Sequence, residues 1–313
     1  MTANHSITSQ SRPHFADFLE QCRALSPLRT AVVYPEEVTA LEGAMDAAAE
    51  GLIEPVFVGD AQRIGEAAER GGFDISRFEI VQVDDETRAA HRGVDLVADG
   101  SAHALMKGHI HSDTYLSAVI RKENGLRSAT RTSHCFVMDI PSWPKPVIIT
   151  DAALNVAPDV KNRIAITRNA ISLAHALGIE NPRVAVLSAT ETPHAGIPSS
   201  MEAREIADAD YADALVDGPF ALDNAVNREA ALLKGIDSPV AGEADILVVP
   251  DIEAGNIFFK ALTFMGGAET AGLVVGASAP VILTSRADSA EARIASCALA
   301  VLYQQHLARI AED

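Results

Sequence analysis

Residues 244–260 read ADILVVPDIEAGNIFFK. The run Ile246-Leu247-Val248-Val249 is wholly apolar, the pattern of a strand buried on both faces of a parallel sheet. Pro250 ends it, and the chain turns through Asp251 and Gly255 into helical spacing. Asn256 and Lys260 are four residues apart and so share one helix face. An amide and a cation just beyond the carboxyl end of a strand stand where open α/β sheets bind anions. Residues 280–289, PVILTSRADS, repeat the plan: an apolar strand, a polar knot at Ser285-Arg286, then a helix.

Working outward, short β-branched runs alternate with longer helical patterns. Strands are expected at 29–34, 55–59, 78–83, 104–106, 134–140, 146–150, 183–187, 214–216, 273–275 and 281–283. Helices are expected at 36–50, 61–70, 85–98, 112–122, 159–177, 197–212, 223–234 and 289–307, several closed by glycine as at Gly51 and Gly235. Runs 134–140 and 146–150 flank the turn-rich Pro141-Ser142-Trp143-Pro144 and read as a hairpin. The alternation implies parallel sheets covered on both faces, an α/β fold. The first dozen residues read as a loose tail.

The 313 residues suffice for a sizeable core and two domains. A net charge of -18 argues against nucleic acid and anionic membranes as partners, and it means that any bound anion needs a local cluster of cations. Cys22, Cys135 and Cys297 are far apart and form no zinc spacing, as expected of a reducing cytoplasm. The opening residues have no apolar signal core, and no apolar run is long enough to span a bilayer.

Lys107-Gly108-His109-Ile110-His111 lies between a strand and a helix. Gly108 would let backbone N–H groups approach a phosphate and Lys107 would neutralise it; the plain alternative is a turn with an exposed lysine. His109 and His111 lack a neighbouring Cys or Glu to complete a metal set, so no metal site is expected. Arg286 can grip a phosphate with two N–H groups, and Ser285 can orient or deprotonate a nucleophile. Asp288, with Glu291 three residues on, fits a helix N-cap with a reciprocal acid. Asp151, Asn155, Asp217 and Asp223 could orient a ligand or fix loops. No G-x-S-x-G elbow, activated cysteine or G-x-G-x-x-G fingerprint is present.

With PDIEAGN, SPVAG, VDGPFALDNAV and LTSRADS in this order, the chain resembles the phosphate acetyltransferase/phosphate butyryltransferase family. ALMKG, SHCFVMDIP and ITDAALNVAPD resemble its butyryl-type branch and the acyltransferase half of bifunctional enoyl-CoA hydratase/phosphate acetyltransferases. The resemblance implies a two-domain α/β/α fold like that of isocitrate and isopropylmalate dehydrogenases, with the active site in the cleft between domains. Residues 1–148 plus 273–313 would form the first domain and 149–272 the second. It further implies a cytoplasmic homodimer with no permanently bound cofactor. Its substrates would be coenzyme A, phosphate, acyl-CoA and acyl phosphate.

The resemblance implies catalytic roles for Ser285 and Arg286, and substrate contacts for Lys107, Gly108, His111, Gly255, Asn256, Lys260 and Asp288. Asp288 stands where the acetyl branch commonly has Cys, and Ala292 where it commonly has an Asp proposed as partner of the serine. The base is therefore open, with Glu291 and His111 the first candidates. The reaction implied is direct attack of the CoA thiol on acyl phosphate, without an acyl-enzyme. The alternatives are an oxidoreductase on the same superfamily fold and a catalytically silent CoA or acyl-phosphate binding protein. The terminal helix is expected to pack on the first domain and strand 281–283 to join its sheet.

Overall fold

The computed structural model describes residues 13–123, 125–128, 130–284 and 288–312. The expected loose tail and the Ser285-Arg286 pair lie outside the described residues. The strands are β1 (Leu28–Val33), β2 (Ile53–Gly59), β3 (Glu79–Gln82), β4 (Ala104–Lys107), β5 (Ser133–Asp139), β6 (Val147–Thr150), β7 (Arg183–Leu187), β8 (Leu215–Phe220), β9 (Ile246–Val248), β10 (Glu269–Val275) and β11 (Val281–Ile282). They form one 11-stranded sheet in the order β3-β2-β1-β4-β11-β10-β5-β6-β9-β7-β8. Pairing is parallel except at the centre, where β10 runs antiparallel to both β11 and β5, and β5 antiparallel to β6. The expected hairpin is the last of these. Its reversal makes the two wings of the sheet run in opposite directions.

The helices are α1 (Pro13–Cys22), α2 (Val38–Ala49), α3 (Ala61–Gly71), α4 (Glu86–Ala98), α5 (Ser112–Ile120), α6 (Val160–Ala176), α7 (Pro198–Ala207), α8 (Leu222–Val226), α9 (Arg228–Leu233), α10 (Ile252–Phe264) and α11 (Ala290–Glu312). Aspartates set many of their starts. Asp60, Asp85, Asp159 and Asp251 each accept the backbone N–H three residues on, which satisfies a donor the helix leaves unpaired.

The sequence reading needs five corrections. The expected helix 223–234 is two helices, because Asn227 leaves helical geometry and caps α9 by accepting from Ala230 N–H. Helix 197–212 stops at Ala207, and the chain turns through Asp213 at φ 56° to reach β8. β8 continues past Val216 through Gly218, where a Cβ would lie 2.8 Å from the Val186 carbonyl. α11 extends beyond the expected end at 307. Ser289, not Asp288, caps α11: its Oγ accepts from Ala292 N–H at 3.0 Å. α1 was not anticipated; it packs Phe15, Phe18 and Cys22 against α11.

The two sheet faces are covered differently. On one face a single hydrophobic cluster joins residues of α1, α2, α3, α6, α7 and α11 to strand residues from Val32 to Ile282. The other face carries two clusters. One packs α4 and α5 on Val33, Leu105 and Val281; the other packs α8, α9 and α10 on Met138, Ile149 and Leu247. β11 lies between β4 and β10, and α11 contacts α1, α2, β10 and α6. No described helix is long and apolar enough to cross a membrane.

Candidate active site

β4 and β11 are parallel neighbours, so their carboxyl ends emerge side by side. Lys107 ends β4 and is buried, 7 % exposed, which removes the reading of a solvated turn lysine. Its Nζ lies 3.5 Å from the Gly108 carbonyl. Lys107 and Gly108 line a cavity of about 30 Å³ with Thr39, His109, Thr284 and Arg293. Thr284 is the residue before Ser285 in the sequence.

The role read for the Gly108 N–H does not hold. That N–H donates to the Val33 carbonyl at 2.9 Å, and His109 N–H donates to Tyr34 at 2.8 Å, so both continue the ladder with β1. A Cβ on Gly108 would sit 2.3 Å from the same Val33 carbonyl. Glycine is required here for close approach of two backbones, not for access of a phosphate. His111 precedes α5 at the N-cap position; its backbone N–H donates to Glu86 Oε1 at 2.6 Å and its side chain makes no cap bond.

α10 lies over the other wing. Gly255 is buried in its first turns because a Cβ would meet Ala152 and Val249 at 2.8 Å. Asn256 is half-buried, and its Nδ2 donates to the Ala152 carbonyl at 3.3 Å. Lys260, one turn on, is exposed. Phe259 stacks on Phe136 of β5 at 4.0 Å between centroids, and Phe136 stands edge-on to His134 at 4.3 Å. These rings connect α10 to the sheet centre. β4 and β5 are three strand spacings apart, roughly 14 Å, so Lys107 and α10 flank the region from opposite sides. Asp288 is half-buried, and its carbonyl accepts from Arg293 Nη1 at 2.9 Å.

Two residues at this site were not singled out from the sequence. Arg293 is 8 % exposed and bridges Asp288 to Glu42 of α2, with Nη2 3.4 Å from Glu42 Oε2. Gly43 makes room for it: a Cβ there would fall 2.8 Å from Arg293 Cδ. A charged residue inside the Ala-rich run of α11 is the signal that could have found it. His134 is 1 % exposed, its Nδ1 has no partner, and burial pushes its pKa down to about 3. It was read only as part of a strand motif. Its backbone N–H donates to Asp151 Oδ2, which also holds Asn155 Nδ2 at 2.6 Å. Asp151 further accepts from Ala153 and Leu154 N–H, so it organises the loop after β6. Asp217 pairs with Arg204 at 3.0 Å and Asp223 with Lys234 at 3.2 Å.

The arrangement can hold an anion beside the β4 and β11 ends and an apolar group on the rings between the wings. Among the described residues, no group of three His, Cys, Asp or Glu side chains is placed to hold a metal ion. Comparison with known proteins gives the same direction. The family model described as phosphate acetyl/butaryl transferase matches residues 84–301. A phosphate acetyltransferase of Rhizobium meliloti is 47 % identical over 90 % of this chain and 90 % of its own length. A phosphate butyryltransferase of Clostridium beijerinckii is 39 % identical over 92 % of this chain and 97 % of its own. The crystal structure of a branched-chain phosphotransacylase from Enterococcus faecalis superposes with a TM-score of 0.78 at 34 % identity, covering 89 % of this chain and all of that one.

Proposed function

This chain belongs to the phosphate acetyl/butaryl transferase family, and on that premise we propose that it transfers a short acyl group reversibly between coenzyme A and inorganic phosphate. In the synthetic direction of the thioester, the CoA sulfur attacks the carbonyl carbon of acyl phosphate. A C–S bond forms, the C–O bond to phosphate breaks, and the electron pair leaves with the phosphate. Lys107, Lys260 and Arg286 stabilise the charge gathering on that leaving group, a contribution that grows in a site from which water is excluded. Ser285 assists removal of the thiol proton. Asn256 and His111 hold the substrates, with Gly255 and Asp288 alongside. Bringing two substrates together in line supplies much of the acceleration. An oxidoreductase on this fold is not favoured by the relatives.

The observation that carries this reading is Lys107, buried at the carboxyl end of β4 and lining one cavity with Thr284, which precedes Ser285-Arg286 in the sequence. A cation at that strand end can make charge-assisted hydrogen bonds to a substrate phosphate. We assign residues 1–148 plus 273–313 and residues 149–272 to two lobes, and the substrates to the space between. We also assign the enzyme to the cytoplasm, as a homodimer with no permanent cofactor. The exposed Ile257 and Phe264 of α10, with Met265 just after it, support a second chain packing there. The test is release of free CoA from acetyl-, propionyl- and butyryl-CoA with and without phosphate. Phosphate-dependent release is expected, and its absence with all three would overturn the assignment.

A further inference from the structure

Among the described residues, the buried lysines and arginines are Lys107, Arg163 and Arg293. Arg163 pairs with Glu202 between α6 and α7. The other two line one cavity of about 30 Å³. They reach it from different elements, Lys107 from the end of β4 and Arg293 from the first turn of α11. Thr39 and Ala40, which also line it, belong to the first turn of α2. Glu37, the N-cap of α2, makes no side-chain cap bond, so the N–H groups of that turn keep donor capacity. Arg293 crosses to α2 over Gly43. Its Nη1 donates to the Asp288 carbonyl and its Nη2 lies 3.4 Å from Glu42 Oε2, while the buried Nε has no partner. Glu42 is not among the residues that line the cavity.

Resting on the transacylase reading, we propose that Arg293 is a further phosphate-binding residue, meeting the phosphoryl group in this cavity together with Lys107 and the first turn of α2. Charge supports it. In a chain of net charge -18, two buried cations on one small cavity supply the local positive potential that an anion needs. Size supports it. A single water needs about 10–15 Å³, so the cavity receives about two or three oxygens of one phosphate, with its bridging oxygen toward the mouth. Donor geometry supports it too. A guanidinium carries five N–H donors in a fixed fork, and the bonds to Asp288 and Glu42 leave some of them for a ligand. Those two bonds also hold the side chain in place, so little rotamer freedom is lost when an anion arrives. As the C–O bond to phosphate breaks, Arg293 shares with Lys107 the charge that gathers on the phosphate oxygens.

The test uses the full chain and follows CoA release from the acyl-CoA it uses best, varying phosphate and acyl-CoA in turn. Arg293→Gln should raise the KM for phosphate about tenfold or more and leave that for acyl-CoA within about twofold, as loss of a charge-assisted contact to one substrate requires. Arg293→Lys should fall between, because it keeps the charge and loses the fork. Thermal unfolding gives a second readout: inorganic phosphate should raise the Tm of the wild type and not that of Arg293→Gln. A residue that only ties α11 to α2 would lower the Tm and disturb both KM values together, and that result would overturn the proposal. So would an unchanged phosphate KM, or a rise confined to acyl-CoA, which would assign the cavity to a phosphate of CoA. If Arg293→Gln does not fold, Arg293→Lys decides by the same split. A wild type that phosphate stabilises, with the shift lost in the variant, but that releases no CoA would keep the anion site and remove the transacylase reading.

Discussion

One face of the sheet is sealed by a single hydrophobic cluster, and the other is covered by two, with Phe136 packed on the second and the buried His134 edge-on to it. Both faces come from the same strands, so the difference lies in alternate residues. On β5, Cys135 and Val137 enter the sealed core while His134 and Phe136 turn to the divided face. Burial that is complete on one side gives the rigidity against which an unfinished side can hold substrates. Stability and activity should therefore separate by face, and substitutions can test that separation.

The largest effect is expected on the sealed face. Leu273 of β10 is fully buried in the continuous cluster, and Leu273→Ala should lower unfolding free energy by about 2–5 kcal/mol through lost transfer energy and a residual cavity. Denaturant titration would read it. A loss below about 1 kcal/mol would mean that the two wings do not share one cooperative core. Next come the cations proposed to meet phosphate. Lys107→Ala and Lys260→Ala should each reduce kcat/KM for phosphate or acyl phosphate by at least about tenfold, since charge-assisted hydrogen bonds are worth roughly 1.5–3 kcal/mol. Lys260 is exposed, so its variant should melt with the wild type; unchanged kinetics would remove α10 from the site.

The wings were legible from residues 244–260 and 280–289 because buried strands and capped helices leave strong local patterns. Lys107 and α10 could be singled out since each follows a strand end. The central reversal was less legible: a hairpin at 134–150 was expected, but nothing local showed β10 and β11 inserting beside it, since pairing partners far apart in sequence leave no periodic trace. The Gly108 N–H was misassigned for a related reason. A glycine that admits a phosphate and one that admits a neighbouring backbone look alike until β1 is in place. Arg293 and His134 escaped because each sits singly in an apolar run, and only folding shows what surrounds it.

A smaller effect concerns pH. His134 is held neutral by burial, with its pKa moved from 6.5 to about 3, whereas the unfolded chain binds a proton below 6.5. Between those values the unfolded state carries more protons, so stability rises with pH. The contribution is complete above pH 6.5 and is lost as pH falls toward 3. His134→Gln should remove this part of the profile, flattening the slope of unfolding free energy by up to about 1.4 kcal/mol per pH unit in that window. Asp151, whose carboxyl burial pushes upward, is present in both proteins and cancels from the difference. Parallel profiles would mean that the imidazole protonates without unfolding and that water reaches it in the folded chain.

The smallest effect is expected one residue along the same strand. Cys135 is fully buried on the sealed face, and burial pushes its thiol up to about 12; Cys297 is pushed up to about 12 as well. A cysteine acts as a nucleophile through its thiolate, and at neutral pH that form is negligible in either residue. Both sulfurs lie in the continuous core, so neither can take the acyl group without exposing it. The CoA thiol has no such barrier: it arrives from water, where no burial raises its pKa. Cys135→Ala and Cys297→Ala should therefore keep kcat/KM within about twofold while softening the core slightly. Acid quenching of a reaction with labelled acyl-CoA should leave the protein unlabelled. Label recovered on Cys135 would show that the sealed face opens during turnover, and the division of labour between the faces would fall with the direct mechanism.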